Sequence, residues 1–404
     1  MTNSVAIIGG GQAGGTLAQA LRQRGFTGPV TLVSAETTPP YERPPLSKGV
    51  LVGDDLTHVV PADFYAQNNV DIRLGRRATE VRRDDLGLEV VLESAPPLNA
   101  DTVVLATGSR PRAISVPGMD LENVVSLNTI ADAWHIRNQL SRLERVVIAG
   151  AGFVGTEVAA SLRGLGCDVV LVEPAPQPAT RLGPWAAEAV RELHEAAGVR
   201  FVQDVLAAAE GDTRVQRVVT AGGEVLPCDL LLVAVGSAPN LEVAANSGLD
   251  CAEGIVCDDR GRTSMADVYA VGDAASWPYG PLGRLRVEHF RTAIDHAQVV
   301  AGDILGGPAE GSSLVPWFWT DQYQHRFEVA GRPDQGTTEV RRHGPAGRPY
   351  LSLHLRDDRL VGAIGLDRPR DVRAASQLIR TQVPVSPDLL GDPSIDLRKA
   401  AVPA

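Results

Sequence analysis

Two copies of one glycine spacing could carry the chemistry of this chain. Gly9-x-Gly11-x-x-Gly14 follows the apolar run Val5-Ala-Ile-Ile8, and Gly150-x-Gly152-x-x-Gly155 follows Arg145-Val-Val-Ile-Ala149. After the first copy Leu17 and Leu21 recur at helical spacing, and after the second Val158, Leu162 and Leu165 do so. A glycine run between a strand and a helix is the context in which this spacing binds a dinucleotide. The first glycine makes the turn, the second lets a pyrophosphate approach the backbone, and the third lets helix and strand pack closely. The helix N-terminus then offers unpaired N–H groups and the positive end of a dipole to the phosphates. One such motif in a chain with 41 glycines is weak evidence, but two copies, each in strand–helix context, predict two bound dinucleotides.

The acids that follow separate the two sites. Glu173 ends a second strand (Asp168 to Val172) and lies 18 residues past Gly155. A carboxylate there hydrogen-bonds a free ribose 2′-hydroxyl and repels a 2′-phosphate, so NADH is favoured over NADPH. In the first copy Glu36 fits the ribose position, although Ala35 aligns as well.

A half-repeat extends further. Asp101-Thr-Val-Val-Leu-Ala-Thr107-Gly108-Ser-Arg-Pro111 is paralleled by Asp229-Leu-Leu-Leu-Val-Ala-Val-Gly236-Ser-Ala-Pro239. Each reads as a buried strand closed by a glycine at its carboxyl end, where ligands of doubly wound sheets bind. A third such run reaches Gly272-Asp273, whose aspartate can accept hydrogen bonds from a sugar-alcohol chain. Glu288-His289-Phe290 then opens a helix. In YERPPLSKGVL, Pro44 and Pro45 stiffen a loop that projects Arg43 and Lys48. Arg43 can hold a pyrophosphate and Lys48 can serve a redox ring that gains negative charge. The other reading is a solvated basic loop.

Cys167, Cys228, Cys251 and Cys257 form no CxxC, so a disulfide framework, a zinc site or an iron–sulfur cluster is not expected. No cysteine pair lies between residues 36 and 60, which excludes a disulfide reductase of glutathione-reductase type. None lies near residue 42, which excludes a peroxidase of that type. No nucleophilic triad or metal constellation stands out, and hydride transfer between cofactors needs neither.

A chain of 404 residues implies two or three domains, and 44% hydrophobic with 22% charged residues is ordinary globular composition. No apolar run approaches the ~20 residues of a membrane helix, and no leader pattern opens the chain, so a cytoplasmic protein with no membrane contact is expected. A net charge of −11 argues against nucleic-acid binding. From Pro316-Trp-Phe-Trp-Thr-Asp-Gln-Tyr323 onward the pattern becomes strand-like, with a hairpin turn at 356–359 and a helix at 371–380, so a third, α+β domain is expected.

Taken together, GGGQAG, PYERPPLSK, ATGSRP, GAGFVGTE, VAVGSAPN, VYAVGD and PWFWTDQY make the chain resemble the FAD-dependent ferredoxin reductases of bacterial oxygenase systems, from residue 4 to about 395. RPPLSK and PWFWTDQY are particular to this branch. The resemblance implies an α/β fold of glutathione-reductase type, with two Rossmann-like dinucleotide-binding domains and a C-terminal α+β domain. It implies a flavin domain over 1–112 and 244–315, a nicotinamide domain over 113–243 and a C-terminal domain over 316–404. FAD would contact Gly9, Gly11, Ala13, Gly14, Ala35, Glu36, Arg43, Lys48, Val81, Thr107, Gly108, Asn128, Gly272, Asp273, Glu288, His289 and Phe290. NADH would sit on Gly150, Gly152, Val154, Gly155, Glu173 and Gly236, with Arg181 reaching a phosphate. Lys48, Glu157 and Trp319 would be the catalytic set: Glu157 would hold the nicotinamide amide and Trp319 would lie against the isoalloxazine.

The implied partner is a 2Fe-2S ferredoxin bound transiently, and through it a cytochrome P450 or other oxygenase, with the reductase a monomer or weak homodimer. An oxidase or rubredoxin-reductase-like flavoprotein, or a signalling flavoprotein of apoptosis-inducing-factor type, are the alternatives. Two positions depart from the family pattern. Asn128 stands where an arginine is usual, with Arg110, Arg112 or Arg137 as candidate replacements, and Ala35 stands where an acid is usual. Arg73, Arg76, Arg77, Arg82 and Arg83, or Arg341 and Arg342, are the basic clusters a ferredoxin could use.

Overall fold

The computed structural model describes residues 3–84, 87–307, 313–345 and 347–402. The chain divides into two compact units. The first comprises Met1–Glu42, Leu56–Arg110 and Pro239–Trp317, and the second Arg43–Asp55, Pro111–Ala238 and Phe318–Ala404.

Both units are built on the same parallel sheet. In the first, the strand order is Val268–Ala270, Thr102–Leu105, Val5–Ile8, Val30–Val33 and Val70–Arg73. Every residue of Val5–Ile8, Val30–Val33 and Thr102–Leu105 is buried, as a parallel strand covered on both faces requires. The helices Gln12–Gln23 and Phe290–Ile304 pack together, their apolar stripes giving Leu17, Leu21, Ala297 and Val300 complete burial. A three-stranded antiparallel sheet, Ala78–Asp84, Gly87–Leu92 and Leu98–Ala100, is appended, with Leu88, Val90 and Leu92 turned inward at period two.

In the second unit the order Arg200–Val202, Asp168–Val172, Arg145–Ala149, Leu230–Val233 and Val124–Val125 repeats the plan. Alternate residues serve opposite faces. Val146, Ile148, Leu230 and Leu232 pack with Val158 and Leu162 of the helix Phe153–Gly164. Val147, Ala149, Leu231 and Val233 pack with Ala209, Val218 and Leu226 of a three-stranded antiparallel sheet. The C-terminal part is a five-stranded antiparallel sheet ordered Trp317–Gln322, His325–Gly331, Arg359–Leu366, Pro349–Arg356 and Thr338–His343, with the helix Pro369–Thr381 against it. The helix Pro184–Ala196 docks on the same sheet through Trp185, Val190, Phe327, Val329 and Ile364.

The loop carrying Arg43 and Lys48 belongs to the second unit. Leu51, just beyond it, is fully buried among Ile136, Val158 and Leu162, and that apolar anchor sets where the segment lies. The chain returns to the first unit at Pro239.

Cys167, Cys228 and Cys257 are buried thiols and Cys251 is exposed; burial pushes the Cys228 and Cys257 thiols up to about 12. Among the described residues no helix is long and apolar enough to cross a membrane, and no three metal-ligating side chains gather. The basic runs differ from their appearance in sequence. Arg73, Arg77, Arg82 and Arg83 each pair with an acid (Asp71, Glu93, Glu80 and Asp267). Arg342 is buried and donates to the carbonyls of Leu390 and Ile395, so it ties down the C-terminal segment and is not a surface cation.

Candidate active site

The two glycine turns have the same geometry. Gly9 (φ +127°) takes a conformation suited to glycine, and a Cβ on Gly14 would lie 2.0 Å from the Gly9 carbonyl oxygen. In the second turn a Cβ on Gly155 would lie 2.1 Å from the Gly150 oxygen. A Cβ on Gly11 or Gly152, by contrast, meets nothing within 4 Å. The outer glycines are therefore demanded by the protein's own packing, whereas the middle ones leave room for something else. Gly11 and Gly152 are also the N-caps of their helices, and neither helix has a side-chain cap or an acid in its first turn. Unpaired N–H groups, a positive dipole end and free space fit a pyrophosphate at each turn.

In the first unit the carboxyl ends of three neighbouring strands meet. Thr107 and Asn240 exchange hydrogen bonds of 2.8 Å, which fixes the turn at Thr107-Gly108. Ser109 Oγ donates to Asp273 Oδ2 at 2.9 Å, and a Cβ on Gly272 would come 3.2 Å from the Ala13 Cβ. Gly9, Gly11, Ala13, Gly14, Thr107, Gly108, Gly272 and Asp273 are thus brought together. Glu36 follows the next strand of the sheet and accepts from the Tyr41 hydroxyl at 2.5 Å, while Ala35 is exposed. Val81 lies on the appended sheet with its N–H donated to Ser247 Oγ at 2.7 Å. Glu288 pairs with Arg286, and His289 and Phe290 open the helix Phe290–Ile304.

Sequence reading passed over what holds the Asp273 turn. His296 Nδ1 accepts the Gly272 N–H at 3.3 Å, its Nε2 lies 2.9 Å from the Tyr279 hydroxyl, and its ring stacks on Trp277 at 3.8 Å. With Nδ1 accepting, the proton sits on Nε2 and is donated to Tyr279. Complete burial lowers His296 to about 3 from 6.5, so the folded chain holds it neutral. Between those values the unfolded chain binds a proton that the folded chain refuses, so stability falls as pH drops from 6.5 toward 3. The slope from this group is roughly 1.4 kcal/mol per pH unit. Urea midpoints at pH 7 and 5 are expected to differ less in His296→Phe than in the parent. Equal differences would show that His296 is not the source. Burial lowers His194 as well, so part of the slope remains in the variant.

In the second unit Glu173 lies at its strand's carboxyl end, accepting the N–H groups of Ala151 (2.8 Å) and Ala175 (3.1 Å). A Cβ on Gly150 would meet the Ala234 oxygen at 2.5 Å, so the strand end leading to Gly236 adjoins the turn. Val154 is exposed on the helix's first turn, and Arg181 is exposed in a short 3-10 turn. The preceding Ala179 donates its N–H to Ala151 O at 2.7 Å, which brings that loop to the glycine turn.

Glu157 is the most heavily engaged acid of the unit. It is 7% exposed on the second turn of the helix Phe153–Gly164. Its Oε2 accepts from Lys48 Nζ (2.7 Å) and Ser47 Oγ (2.6 Å), and its Oε1 from Thr320 Oγ1 (2.7 Å) and the Asp321 N–H (3.3 Å). The proline-led 3-10 turn Pro44–Ser47 aims Ser47 and Lys48 at it, and Ser161 Oγ holds the turn by donating to Ser47 O at 2.7 Å. A carboxylate has about four acceptor sites, and all are taken, so any further donor reaches Glu157 only by displacing one of these. Trp319 lies on the same strand as Thr320, its Nε1 donating to Asp321 Oδ2 at 3.0 Å and the Arg326 guanidinium 5.7 Å from its ring. Arg43 donates to the Asn128 carbonyl. At the unusual Asn128 the backbone oxygen takes the contact, while Thr129 and Asp132 form a capping box just after it. The candidate substitutes for the missing arginine have other partners. Arg110 pairs with Glu242, Arg112 donates to Ser237 O, and Arg137 donates to Gly53 O.

The pattern of the pyridine nucleotide-disulphide oxidoreductases matches residues 3–297, and that of the reductase C-terminal domain matches residues 317–401. The chain is 37% identical to the ferredoxin reductase component of chlorobenzene dioxygenase from Cupriavidus sp. (strain PS12), over 98% of this chain and 97% of that protein. It superposes on the ferredoxin reductase for the CYP199A2 system from Rhodopseudomonas palustris with a TM-score of 0.93 at 33% identity, over 99% of this chain and 100% of the other. On putidaredoxin reductase, solved in covalent complex with putidaredoxin, the TM-score is 0.92 at 32% identity, over 98% of each chain. The chain belongs to the ferredoxin reductases of oxygenase systems.

The reductase therefore has the two-dinucleotide α/β fold with a C-terminal α+β domain, and FAD and NADH are its cofactors. Ser47 and Thr320, which hold Glu157, carried no signal in the sequence beyond their place inside two family motifs. His296 carried none.

Proposed function

We propose that this reductase takes electrons from NADH through FAD to a 2Fe-2S ferredoxin that serves a cytochrome P450 or other oxygenase. The observation that carries the reading is the pair of glycine turns, one in each compact unit, with the middle glycine open and the helix uncapped in both. The relatives' names, ferredoxin reductases of a dioxygenase and of a CYP199A2 system and a reductase solved with putidaredoxin, support a ferredoxin-type acceptor.

Bound FAD would supply the conversion of a hydride's electron pair into two single electrons, which no side chain can perform. Gly11, Gly14 and the start of the first helix hold its pyrophosphate, and Asp273, oriented by Ser109, accepts from its ribityl hydroxyls. Gly152, Gly155 and the second helix hold the pyrophosphate of NADH, and Glu173 accepts from the adenosine ribose. Glu157 orients the nicotinamide amide, and Lys48 keeps that carboxylate balanced while the site is empty. Arg181 meets a phosphate from its exposed turn.

Glu173→Arg is expected to raise the KM for NADH about tenfold and to gain activity with NADPH, since the carboxylate that repels a 2′-phosphate becomes a cation. Steady-state kcat/KM with both nucleotides checks it, and an unchanged ratio would remove Glu173 from the nucleotide site. For the overall function, stopped-flow reduction by NADH is expected to be fast, and cytochrome c reduction to require an added ferredoxin. Full-rate cytochrome c reduction without ferredoxin would overturn the proposed partner.

A further inference from the structure

Glu157 stands at one end of a line of buried hydrogen bonds leading away from the nucleotide turn. Thr320 Oγ1 donates to it, and Gln322 Nε2 lies 2.9 Å from Thr320 Oγ1 and 2.8 Å from Thr156 Oγ1. Gln322 Oε1 is 2.9 Å from His194 Nε2, and His194 Nδ1 is 3.1 Å from the Tyr323 hydroxyl. Thr156, His194, Thr320 and Gln322 are all 0% exposed.

The two ends of the line determine where its hydrogens lie. Thr156 Oγ1 is 2.9 Å from Gly152 O, and a carbonyl only accepts, so the threonine donates there and accepts from Gln322. Thr320 donates to the Glu157 carboxylate, so it too accepts from Gln322. Both hydrogens of the Gln322 amide are then used, and its oxygen faces His194 Nε2, which carries the imidazole proton. His194 Nδ1 is left to accept from Tyr323. Burial keeps the imidazole neutral by lowering its pKa. The arrangement is directional and fully satisfied, which is the condition under which a buried polar network specifies a geometry. It is not a proton path, because the amide would have to give up and regain its own N–H hydrogens to pass one on.

We propose that Gln322, its amide polarity fixed by the two threonines and matched by His194, is a positioning residue for the NADH site. It ties Thr156 on the nucleotide helix to Thr320 on the strand carrying Trp319, and so holds Glu157 where Lys48 and Ser47 meet it. The inference rests on the reading of Glu157 as part of the nicotinamide site.

The test is a double-mutant cycle in the FAD-loaded protein with Gln322→Met, Glu157→Gln and the pair together, reading the dissociation constant for NAD+, KM against kcat for NADH, and the thermal midpoint. Methionine keeps the length of the side chain and removes both donors. Gln322→Met is expected to weaken NAD+ binding about tenfold, the scale of a lost buried hydrogen bond to a charged network, with most of the kinetic loss in KM. In the Glu157→Gln background the same change is expected to cost less than about twofold, because the carboxylate it positions has been replaced by a neutral amide. An undiminished loss in that background, or a lowered midpoint with unchanged affinity, would overturn the inference by making Gln322 merely structural. Normal affinity in Glu157→Gln would instead overturn the reading of Glu157. Should Gln322→Met fail to fold, His194→Phe puts the same question. It leaves the amide oxygen buried without its donor, which loosens the amide's hold on the two threonines, and it is expected to weaken NAD+ binding in the same direction; unchanged affinity in that variant counts against the proposal.

Discussion

Glu157→Leu is expected to lower the NADH-dependent rate of flavin reduction by about two to three orders of magnitude. Leucine matches the volume of the side chain but accepts nothing, and four donors converge on that carboxylate. One of them is the Lys48 ammonium, whose side chain is only 24% exposed. Removing one partner of a buried pair costs about 3–5 kcal/mol, since the other charge stays behind without compensation. Here the cost divides between stability and the site, because Lys48 can retreat along its flexible stem whereas Ser47, Thr320 and the Asp321 N–H cannot. Glu157→Gln keeps the shape and part of the acceptor capacity and is expected to lose less. Stopped-flow reduction measured beside the thermal midpoint separates the two effects. A Glu157→Leu variant within threefold of the parent would remove this residue from the reaction.

Gly14→Val is expected to yield protein without bound flavin. A Cβ at that position would sit 2.0 Å from the Gly9 carbonyl oxygen, a contact no rotamer relieves, so helix and strand must separate. The turn between them is the pyrophosphate cradle, and its loss removes flavin together with the stability that flavin binding confers. Gly11→Ala is the informative companion. Its Cβ meets nothing in the protein, so the chain is expected to fold normally yet bind FAD more weakly, because the methyl group occupies the phosphate's space. Flavin absorbance of the purified proteins, with far-UV circular dichroism as the control for folding, reads both. Equal flavin content in Gly11→Ala and the parent would show that the cradle lies elsewhere.

The stabilisation of the Asp273 turn by His296 and the neighbourhood of Arg342 belong to a different kind of information. His296 reads as one more polar residue in an amphipathic helix, and nothing local says that its ring lies on Trp277 under Gly272. Arg341 and Arg342 look alike in sequence, yet one pairs with Glu339 at the surface and the other is buried against C-terminal carbonyls. Strand alternation assigns neighbours to opposite faces, but which face the terminal segment covers is decided only when that segment docks.

The amino-acid sequence by itself determined the parts whose physics is local. Both strand–glycine–helix turns, the acid after the second, the closing strands and the period-two pattern of the last domain all depend on residues within some 25 positions of one another, and the structure has them. Tertiary structure alone decided the company Glu157 keeps. Lys48 is 109 residues away from it, Thr320 is 163, and His194 is 128 from Gln322. Such meetings leave no period in the sequence, because they are products of how whole sheets and helices pack. Leu51 buries beside Val158 for apolar reasons, and the charge of Lys48 is carried to Glu157 with it.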